Sequence, residues 1–293
     1  MGRLDGKVAI ITGGTSGIGH ESVKLFVKEG ARVMFCGRGE AAGMRIAQEC
    51  GPNAYFMRAD VTSQDDLKAV VDKTIELWGQ LDVLFNNAGG GMGANIQKMT
   101  PKMIDNTFSL NFSSMAIMTS LALPHLKNRQ TSSIINNSSI AAKKAGFGDA
   151  LYSAAKAAMD SYGRVAAMEL AKHGVRVNSV SPGATATPIF WSGSPGSKRG
   201  ATLSAEDNDV RQKKVEANII NNVSPLRIGR SGTGYDIATA ALWLASDDSV
   251  WYTGQDMIVD GGVTTFDAPN KGWMADDQPV DPVPLRARPK SKL

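Results

Sequence analysis

The stretch VAIITGGTSGIG, Val8–Gly19, joins an apolar, β-branched run to a turn rich in glycine. The run VAIIT predicts a short buried strand, and the residues that follow the turn predict a helix. Glycine in such a turn permits a sharp reversal and lets backbone amides approach a phosphate at the helix N-terminus. This beginning is typical of a dinucleotide-binding α/β fold. The expected contacts in the turn are Gly13, Thr15, Ser16, Gly17, Ile18 and Gly19.

The rest of the chain alternates between short apolar runs and longer helical patterns. Further strands are predicted at ARVMFC (Ala31–Cys36), NAYFMRAD (ending at Asp60), LDVLFNN (Leu81–Asn87), SSIINNSS, VRVNSVSPG and QDMIVDGG (Gln255–Gly262). Near-continuous apolar strands between helices indicate a parallel sheet covered on both faces. We therefore expect one α/β domain, residues 1–266, with a Rossmann-like, doubly wound, seven-stranded parallel sheet. A polar insert, residues 188–224, and a Pro-rich tail, residues 267–293, stand outside this rhythm.

The charge and cysteine content argue against several classes of protein. The chain holds 32 basic and 28 acidic residues, and four of the basic ones lie after position 285. The nearly neutral remainder lacks the basic face of a nucleic-acid-binding protein. Cys36 and Cys50 have no metal-ligand spacing, so we expect reduced thiols and no metal. Because no apolar run reaches the ~18 residues of a membrane span and the chain begins with a strand, we expect a soluble intracellular protein.

The end of the second predicted strand, Cys36-Gly37-Arg38, bears on the choice of cofactor. Folds that bind NAD usually place a carboxylate here, against the ribose hydroxyls of adenosine. This chain has none, while Gly37 leaves room and Arg38 can pair with a 2′-phosphate through its planar guanidinium. We therefore expect NADP, with NAD as the alternative, and place Asp60 and Val61 beside the adenine ring. The competing interpretation is that Arg38 only ends a strand in solvent.

A tyrosine and a lysine stand four residues apart in YSAAK, Tyr152–Lys156. Residues i and i+4 share one face of a helix, so the phenol and the ammonium can meet. A nearby positive charge favours the phenolate and lowers the pKa of a tyrosine from about 10, which suits a proton-transfer group. Taken alone, the pair also fits the surface of an amphipathic helix.

With these motifs in order, the chain resembles the short-chain dehydrogenase/reductase family of the Tyr-x-x-x-Lys type, over roughly Leu4 to Val263. The matching pieces are TGGTSGIG, NNAG (Asn86–Gly89), Asn111, Ser139, YSAAK, SPGATAT (Ser181–Thr187) and YTGQDMIVDGG (Tyr252–Gly262). The resemblance implies an alcohol dehydrogenase or carbonyl reductase in which hydride passes between a nicotinamide cofactor and a CH–OH or carbonyl carbon. It also implies a homotetramer or dimer.

The resemblance implies four catalytic residues. Tyr152 is the acid/base, and Lys156 lowers its pKa and bonds the nicotinamide ribose. Ser139, chosen over Ser138 by its family spacing from the tyrosine, donates to the substrate oxygen. Asn111 positions a water on the proton path. Further cofactor contacts are implied at Asn87, Ala88, Gly89, Pro182, Gly183, Thr185 and Thr187.

The insert after the Pro-Gly motif is the family's substrate loop. Phe190 and Trp191 form an apolar cluster at its start, which indicates either a lid over a hydrophobic alcohol or ketone, or an anchor to the core. Met92 and Phe147 are expected on the opposite wall of the pocket. Lys143 and Lys144 are the one basic pair nearby, and we expect them to be solvated, which argues against a highly charged substrate.

Two rival functions and the end of the tail also bear on the prediction. A 3-oxoacyl thioester reductase would need a basic docking patch, for which Lys198-Arg199 and Lys213-Lys214 are the candidates. The other rival is a dinucleotide-binding regulator without catalysis, and the intact catalytic set argues against it. The last residues, Ser291-Lys292-Leu293, match a peroxisomal address, so we expect the cytoplasm in a bacterium and the peroxisome in a eukaryote.

Overall fold

Seven parallel strands form the centre of the protein, in a computed structural model that describes residues 2–91, 93, 95–127, 129, 131–188, 205–226 and 228–265. The strands of this sheet are β1 (Val8–Thr12), β2 (Arg32–Gly37), β3 (Ala54–Arg58), β4 (Val83–Asn86), β5 (Ser132–Asn137), β6 (Val175–Pro182) and β9 (Asp256–Val259). Their order is β3-β2-β1-β4-β5-β6-β9, and each neighbouring pair is parallel. The prediction of a Rossmann-like sheet of seven parallel strands is confirmed. A small second sheet, β7 (Thr185–Ala186) with β8 (Gly232–Thr233), was not predicted.

Helices cover both faces of the sheet. They are α1 (Gly17–Lys28), α2 (Glu40–Cys50), α3 (Gln64–Trp78), α4 (Pro101–Phe108), α5 (Ser114–Leu126), α6 (Ala150–Leu170), α7 (Ala205–Asn218) and α8 (Gly234–Ala245). Alternate residues of β1 point to opposite faces: Ala9 and Ile11 pack with α1 and α8, whereas Val8 and Ile10 pack with α3, α5 and α6. All four are fully buried, which explains why the strand reads as an uninterrupted apolar run.

The helical segment between β4 and β5 is divided. A π-helical turn, Ser109–Ser113, separates α4 from α5 and inserts one residue into the helical repeat. In the polar insert, α7 is followed by a second π-helical turn, Ile219–Val223, whereas residues 189–204 lie outside the described part of the chain.

The carboxyl ends of the central strands meet along one edge of the sheet because the strands are parallel. The glycine-rich turn follows β1, Asn87 follows β4, Ser138 and Ser139 follow β5, and Gly183 follows β6. The chain order reverses between β1 and β4, and ligands of open α/β sheets bind at such a switch point. The predicted motifs are therefore gathered at this edge.

Candidate active site

The turn between β1 and α1 is packed tightly against the end of β4. A Cβ atom on Gly19 would lie 2.2 Å from the carbonyl oxygen of Gly13 and 2.5 Å from Nδ2 of Asn87, so no side chain fits there. Among the described residues, no side chain caps the first N–H groups of α1 at Gly17, and its first turn holds no acidic residue. An uncapped helix N-terminus beside a glycine turn fits the phosphates of a dinucleotide.

Thr12 fastens the loop after β4 to this turn. Its Oγ1 accepts hydrogen bonds from the backbone N–H groups of Asn87 and Ala88, each at 3.0 Å. The Asn87 Nδ2 donates to the carbonyl oxygens of Thr12 at 2.9 Å and Gly13 at 3.2 Å. Its Oδ1 accepts from Nδ2 of Asn137 at 2.9 Å. Thr12 was not among the predicted site residues, although a hydroxyl residue that ends a strand before glycines is a visible signal.

The two serines after β5 have different surroundings. Ser139 is nearly buried, its Oγ accepts from the N–H of Ala141 at 3.1 Å, and its hydroxyl lies close enough to the phenol of Tyr152 to lower the pKa of that group. Ser138 instead donates its Oγ to the carbonyl oxygen of Lys156 at 3.4 Å. The structure therefore brings Ser139, and not Ser138, to the phenol.

Lys156 lies one turn after Tyr152 on α6 and is buried. Its Nζ is 5.6 Å from the centroid of the Tyr152 ring and donates to the carbonyl oxygen of Asn137 at 2.6 Å. Gly89 separates it from Asn111, because a Cβ at this glycine would lie 3.2 Å from Lys156 Nζ and 2.8 Å from Asn111 Oδ1. The two groups that the sequence pairs on a helix face thus meet at the end of the sheet.

Asn111 owes its position to the π-helical turn between α4 and α5. It is fully buried, its Oδ1 accepts from the N–H of Gly90 at 2.8 Å, and its Nδ2 donates to the carbonyl oxygens of Gly90 at 3.2 Å and Thr107 at 2.9 Å. Single π turns inside helices are frequent at functional sites. Here the turn directs the amide toward the loop that carries Gly89.

Burial opposes charge on both members of the Tyr152–Lys156 pair. It raises the pKa of Tyr152; the hydrogen bond from Ser139 lowers this pKa, and the negative charge of Asp149 raises it further. Burial also lowers the pKa of Lys156 to about 8, and the nearby Asp160 carboxylate raises it. The prediction of a lowered pKa for Tyr152 is therefore wrong in this structure, because desolvation of the phenolate is the largest influence on that pKa. A protonated Tyr152 is a proton donor at neutral pH.

Asp149 holds the start of α6 in place. Its Oδ1 accepts from the N–H of Tyr152 at 2.9 Å, as an N-cap does, and its Oδ2 accepts from the N–H of Gly93 at 3.1 Å. It therefore fixes the tyrosine relative to the loop after β4. Asp149 was not predicted from the sequence, although an aspartate shortly before a helical run is a capping signal.

The end of β2 and the end of β3 form the predicted adenosine corner. Arg38 is exposed, and its charge helps to lower the pKa of Asp60, whose Oδ1 accepts two hydrogen bonds from Thr62. A Cβ on Gly37 would lie 3.0 Å from the side chain of Thr15, so the corner adjoins the glycine-rich turn. Val61 is buried beside Asp60.

The Pro-Gly motif lies across the same turn. Pro182 ends β6, and Gly183 donates its N–H to the carbonyl oxygen of Val259 at 2.9 Å. Thr185 and Thr187 are buried, and a Cβ on Gly17 would lie 3.4 Å from the Thr187 side chain. The glycine-rich turn after β1 and the segment after β6 are far apart in the sequence, but they lie next to each other at the predicted cofactor cleft.

The substrate side is described only in part. Phe147 is half-buried near the start of α6, whereas Met92, Phe190 and Trp191 lie outside the described residues. Lys143 is not simply solvated as predicted: its Nζ pairs with Asp160 at 2.7 Å and also contacts Asp256. Lys144 donates to the carbonyl oxygen of Val263 at 2.8 Å.

Neither a metal cluster nor a membrane span occurs in the described residues. Within those ranges, no group of histidine, cysteine, aspartate and glutamate could hold a metal ion. No helix in the same part of the chain is long and apolar enough to span a membrane.

Comparison with known proteins agrees with this geometry. The profile of the short chain dehydrogenase family matches residues 7–197, about two thirds of the chain. The chain belongs to the short-chain dehydrogenase family. It is 35% identical over 269 residues to momilactone A synthase of Oryza sativa, covering 91% of this chain and 93% of the relative.

Two further relatives carry the name of a dehydrogenase. (+)-Borneol dehydrogenase 2 of Salvia officinalis is 35% identical over 267 residues, covering 90% of this chain and 91% of the relative. L-Fucose dehydrogenase of Mus musculus is 34% identical over 261 residues, covering 89% of each chain. As a short-chain dehydrogenase, the protein is an oxidoreductase that acts on CH–OH groups with a nicotinamide dinucleotide. Its glycine turn and uncapped helix fit that cofactor.

Proposed function

We propose that this short-chain dehydrogenase interconverts a hydrophobic secondary alcohol and its ketone with NADP. The observation that carries the proposal is the arrangement of Ser139, Tyr152 and Lys156 at the end of the sheet, beside the glycine-rich turn. The Ser139 hydroxyl lowers the pKa of the Tyr152 phenol, and the ammonium lies 5.6 Å from the centre of the phenol ring.

The residues of the chain supply proton transfer and orientation. The bound nicotinamide supplies the hydride chemistry. In the reducing direction, Tyr152 gives its proton to the carbonyl oxygen, Ser139 donates a hydrogen bond to the same oxygen, and Lys156 stabilises the phenolate that remains. Alcohol oxidation reverses each of these transfers. Asn111 holds the loop next to Lys156. It also positions a water on the path along which Tyr152 regains its proton.

The preference for NADP rests on the adenosine corner. β2 ends in Cys36-Gly37 without a carboxylate, Arg38 follows it directly, and the exposed guanidinium can approach a 2′-phosphate near Asp60. Binding residues are then proposed along the whole cleft. They are Gly13, Thr15, Ser16, Gly17, Ile18, Gly19, Asp60, Val61, Asn87, Ala88, Gly89, Pro182, Gly183, Thr185 and Thr187, together with Tyr152 and Lys156.

The choice of a hydrophobic substrate rests mainly on the half-buried Phe147 and on the apolar letters at positions 92, 190 and 191. The names of the relatives include borneol, a hydrophobic alcohol, and L-fucose, a polar sugar. Lys143, the basic residue that follows the Ser139 loop, is paired with Asp160, and this pairing supports an uncharged substrate.

The function is tested by following the absorbance of the reduced nicotinamide. One assay reduces a panel of ketones with NADPH or NADH, and the other oxidises alcohols with the oxidised cofactors. We expect turnover of bulky apolar ketones, faster with NADPH, and turnover lower by orders of magnitude with Tyr152→Phe. Preference for thioester substrates would favour the 3-oxoacyl reductase. Cofactor binding without turnover of any substrate would favour the regulator.

The assembly and the chain ends are also proposals. We propose a homotetramer, which is supported by apolar side chains that α6 and α4 expose in the single chain: Val165, Met168 and Ile104. Light scattering of the purified protein measures the mass directly. We retain residues 1–266 as the dinucleotide-binding domain, with the insert at 188–224 and the Pro-rich tail at 267–293. For localisation we propose the cytoplasm in a bacterium or the peroxisome in a eukaryote. A fluorescent fusion to the tail in a eukaryotic cell would reach peroxisomes only if the address is read.

A further inference from the structure

Three charged side chains form a cluster behind the proposed catalytic lysine. Lys143, in the loop after Ser139, contacts Asp160 on α6 and Asp256 at the start of β9. Asp160 is 8% exposed, and its Oδ2 lies 2.7 Å from Lys143 Nζ. Its Oδ1 is buried without a hydrogen-bond partner in the described part of the chain. A buried carboxylate that one lysine satisfies at a single oxygen is costly unless another charge uses it.

Lys156 lies one helical turn before Asp160 on the same buried face of α6. The hydrogen-bond acceptor of its Nζ is a neutral carbonyl, that of Asn137. Its other neighbours, Gly89, Asn111 and Tyr152, carry no carboxylate. The negative charge of Asp160 raises the pKa of Lys156. The ammonium therefore depends on a carboxylate that it does not touch.

We propose that Asp160, held in place by Lys143, is the buried counter-charge of Lys156 and acts on the reaction through that ammonium. Asp160 is then a positioning residue, since it touches neither the phenol nor the substrate oxygen. It keeps Lys156 protonated at the moment when Tyr152 gives up its proton and a phenolate must be stabilised. This inference rests on the proposed function for its effect on turnover, but its effect on Lys156 can be measured without catalysis.

Several charged groups face this cluster, and their separate contributions to the pH dependence must be distinguished. Lys143 comes from the loop after β5, and Asp256 from β9 faces both Lys143 and Tyr252. Removal of the Asp256 carboxylate takes away an ion pair of the same kind but leaves the neighbour of Lys156 in place. Asp256→Asn is therefore the matched control for Asp160→Asn.

The experiment measures urea unfolding of the full chain as a function of pH, together with kcat for ketone reduction. Stability rises with pH where the folded protein has lost the Lys156 proton and the unfolded chain has not. In Asp160→Asn this rise should begin about one pH unit lower, because the opposite charge that holds the proton is gone. The alkaline limb of kcat should move in the same direction. Asp256→Asn should leave both near their original pH.

A second variant keeps the test decisive if Asp160→Asn does not fold. Lys143→Gln leaves the Asp160 carboxylate without its partner, so the rise and the limb should move to higher pH. When Lys156 is already methionine this rise in stability is absent, and neither variant should restore it. The proposal is overturned if the rise in stability begins at the same pH in Asp160→Asn as in the wild type. It is also overturned if the rise moves in the same direction in Asp160→Asn and Lys143→Gln. A kcat limb that stays fixed while the rise moves overturns it as well. An enzyme without any turnover would refute the proposed function instead, and the position of the rise alone would then decide on the counter-charge.

Discussion

Lys156→Met should make the protein more stable at neutral pH while it abolishes turnover. The wild-type side chain is buried, and burial lowers its pKa from 10.5 to about 8. This difference in pKa corresponds to a free energy of unfolding that is lower by about 3 kcal/mol when the folded protein holds the charged lysine. Methionine has a similar length and no charge, so that cost disappears. The hydrogen bond to the Asn137 carbonyl is lost as well, at about 1 kcal/mol, which leaves a net gain of about 2 kcal/mol.

The sign of the pH dependence follows from the same values. Between about pH 8 and 10.5 the unfolded chain holds a proton that the folded protein has released, so wild-type stability rises with pH relative to the variant. The advantage of Lys156→Met should therefore be largest below pH 8 and disappear toward pH 10.5. Urea unfolding of both proteins at several pH values gives this difference directly, because other titrating groups cancel.

Lys143→Met provides the contrast. Its two carboxylate partners raise the pKa of Lys143, so its charge stabilises the folded state below 10.5 and this contribution is lost as pH rises above that value. Methionine at position 143 should therefore destabilise the protein at neutral pH. A Lys156→Met variant that is less stable than wild type at pH 7, or whose difference from wild type does not change with pH, would refute the reasoning.

Three further predictions concern the cleft. Arg38→Ala should weaken NADPH binding more than NADH binding, measured by titration of each cofactor. Equal losses of affinity for the two cofactors would contradict a contact between Arg38 and the 2′-phosphate. Ser139→Ala should lower kcat about 10²–10³-fold, as loss of an oxyanion donor does, whereas the matched Ser138→Ala should lower it little; similar losses in both would show that only local packing matters. The kcat of ketone reduction should fall as pH rises through about 8, where Lys156 loses its proton, and a flat profile across that range would exclude this lysine from the rate.

The sheet was predictable because each strand carries its own signal. Buried parallel strands need apolar residues on both faces, so β1 and β2 stand out from the sequence without any tertiary information. The glycine-rich turn and the helix after it are local as well. Residues of one short segment, such as Tyr152 and Lys156, could therefore be assigned to a common helix face.

The interactions that cross the sheet could not be predicted in the same way. The direction of the pKa shift at Tyr152 depends on how much protein surrounds the phenol, and this is set by packing, not by the four-residue spacing. The ion pairs of Lys143 with Asp160 and Asp256 join residues that are 17 and 113 positions apart, and so the lysine reads as solvated. The π-helical turn that directs Asn111 inward falls within a continuous helical pattern, so the local sequence did not predict it.

The central claim is that Tyr152 transfers the proton while the surrounding cleft holds the cofactor. Tyr152→Phe removes one hydroxyl oxygen and keeps the ring, so the most direct measurement compares kcat and dinucleotide affinity of this variant with those of the wild-type enzyme. We predict a fall in kcat of about 10²–10⁴-fold, with the affinity for NADPH unchanged. Turnover close to that of the wild type, with the cofactor bound normally, would contradict the account.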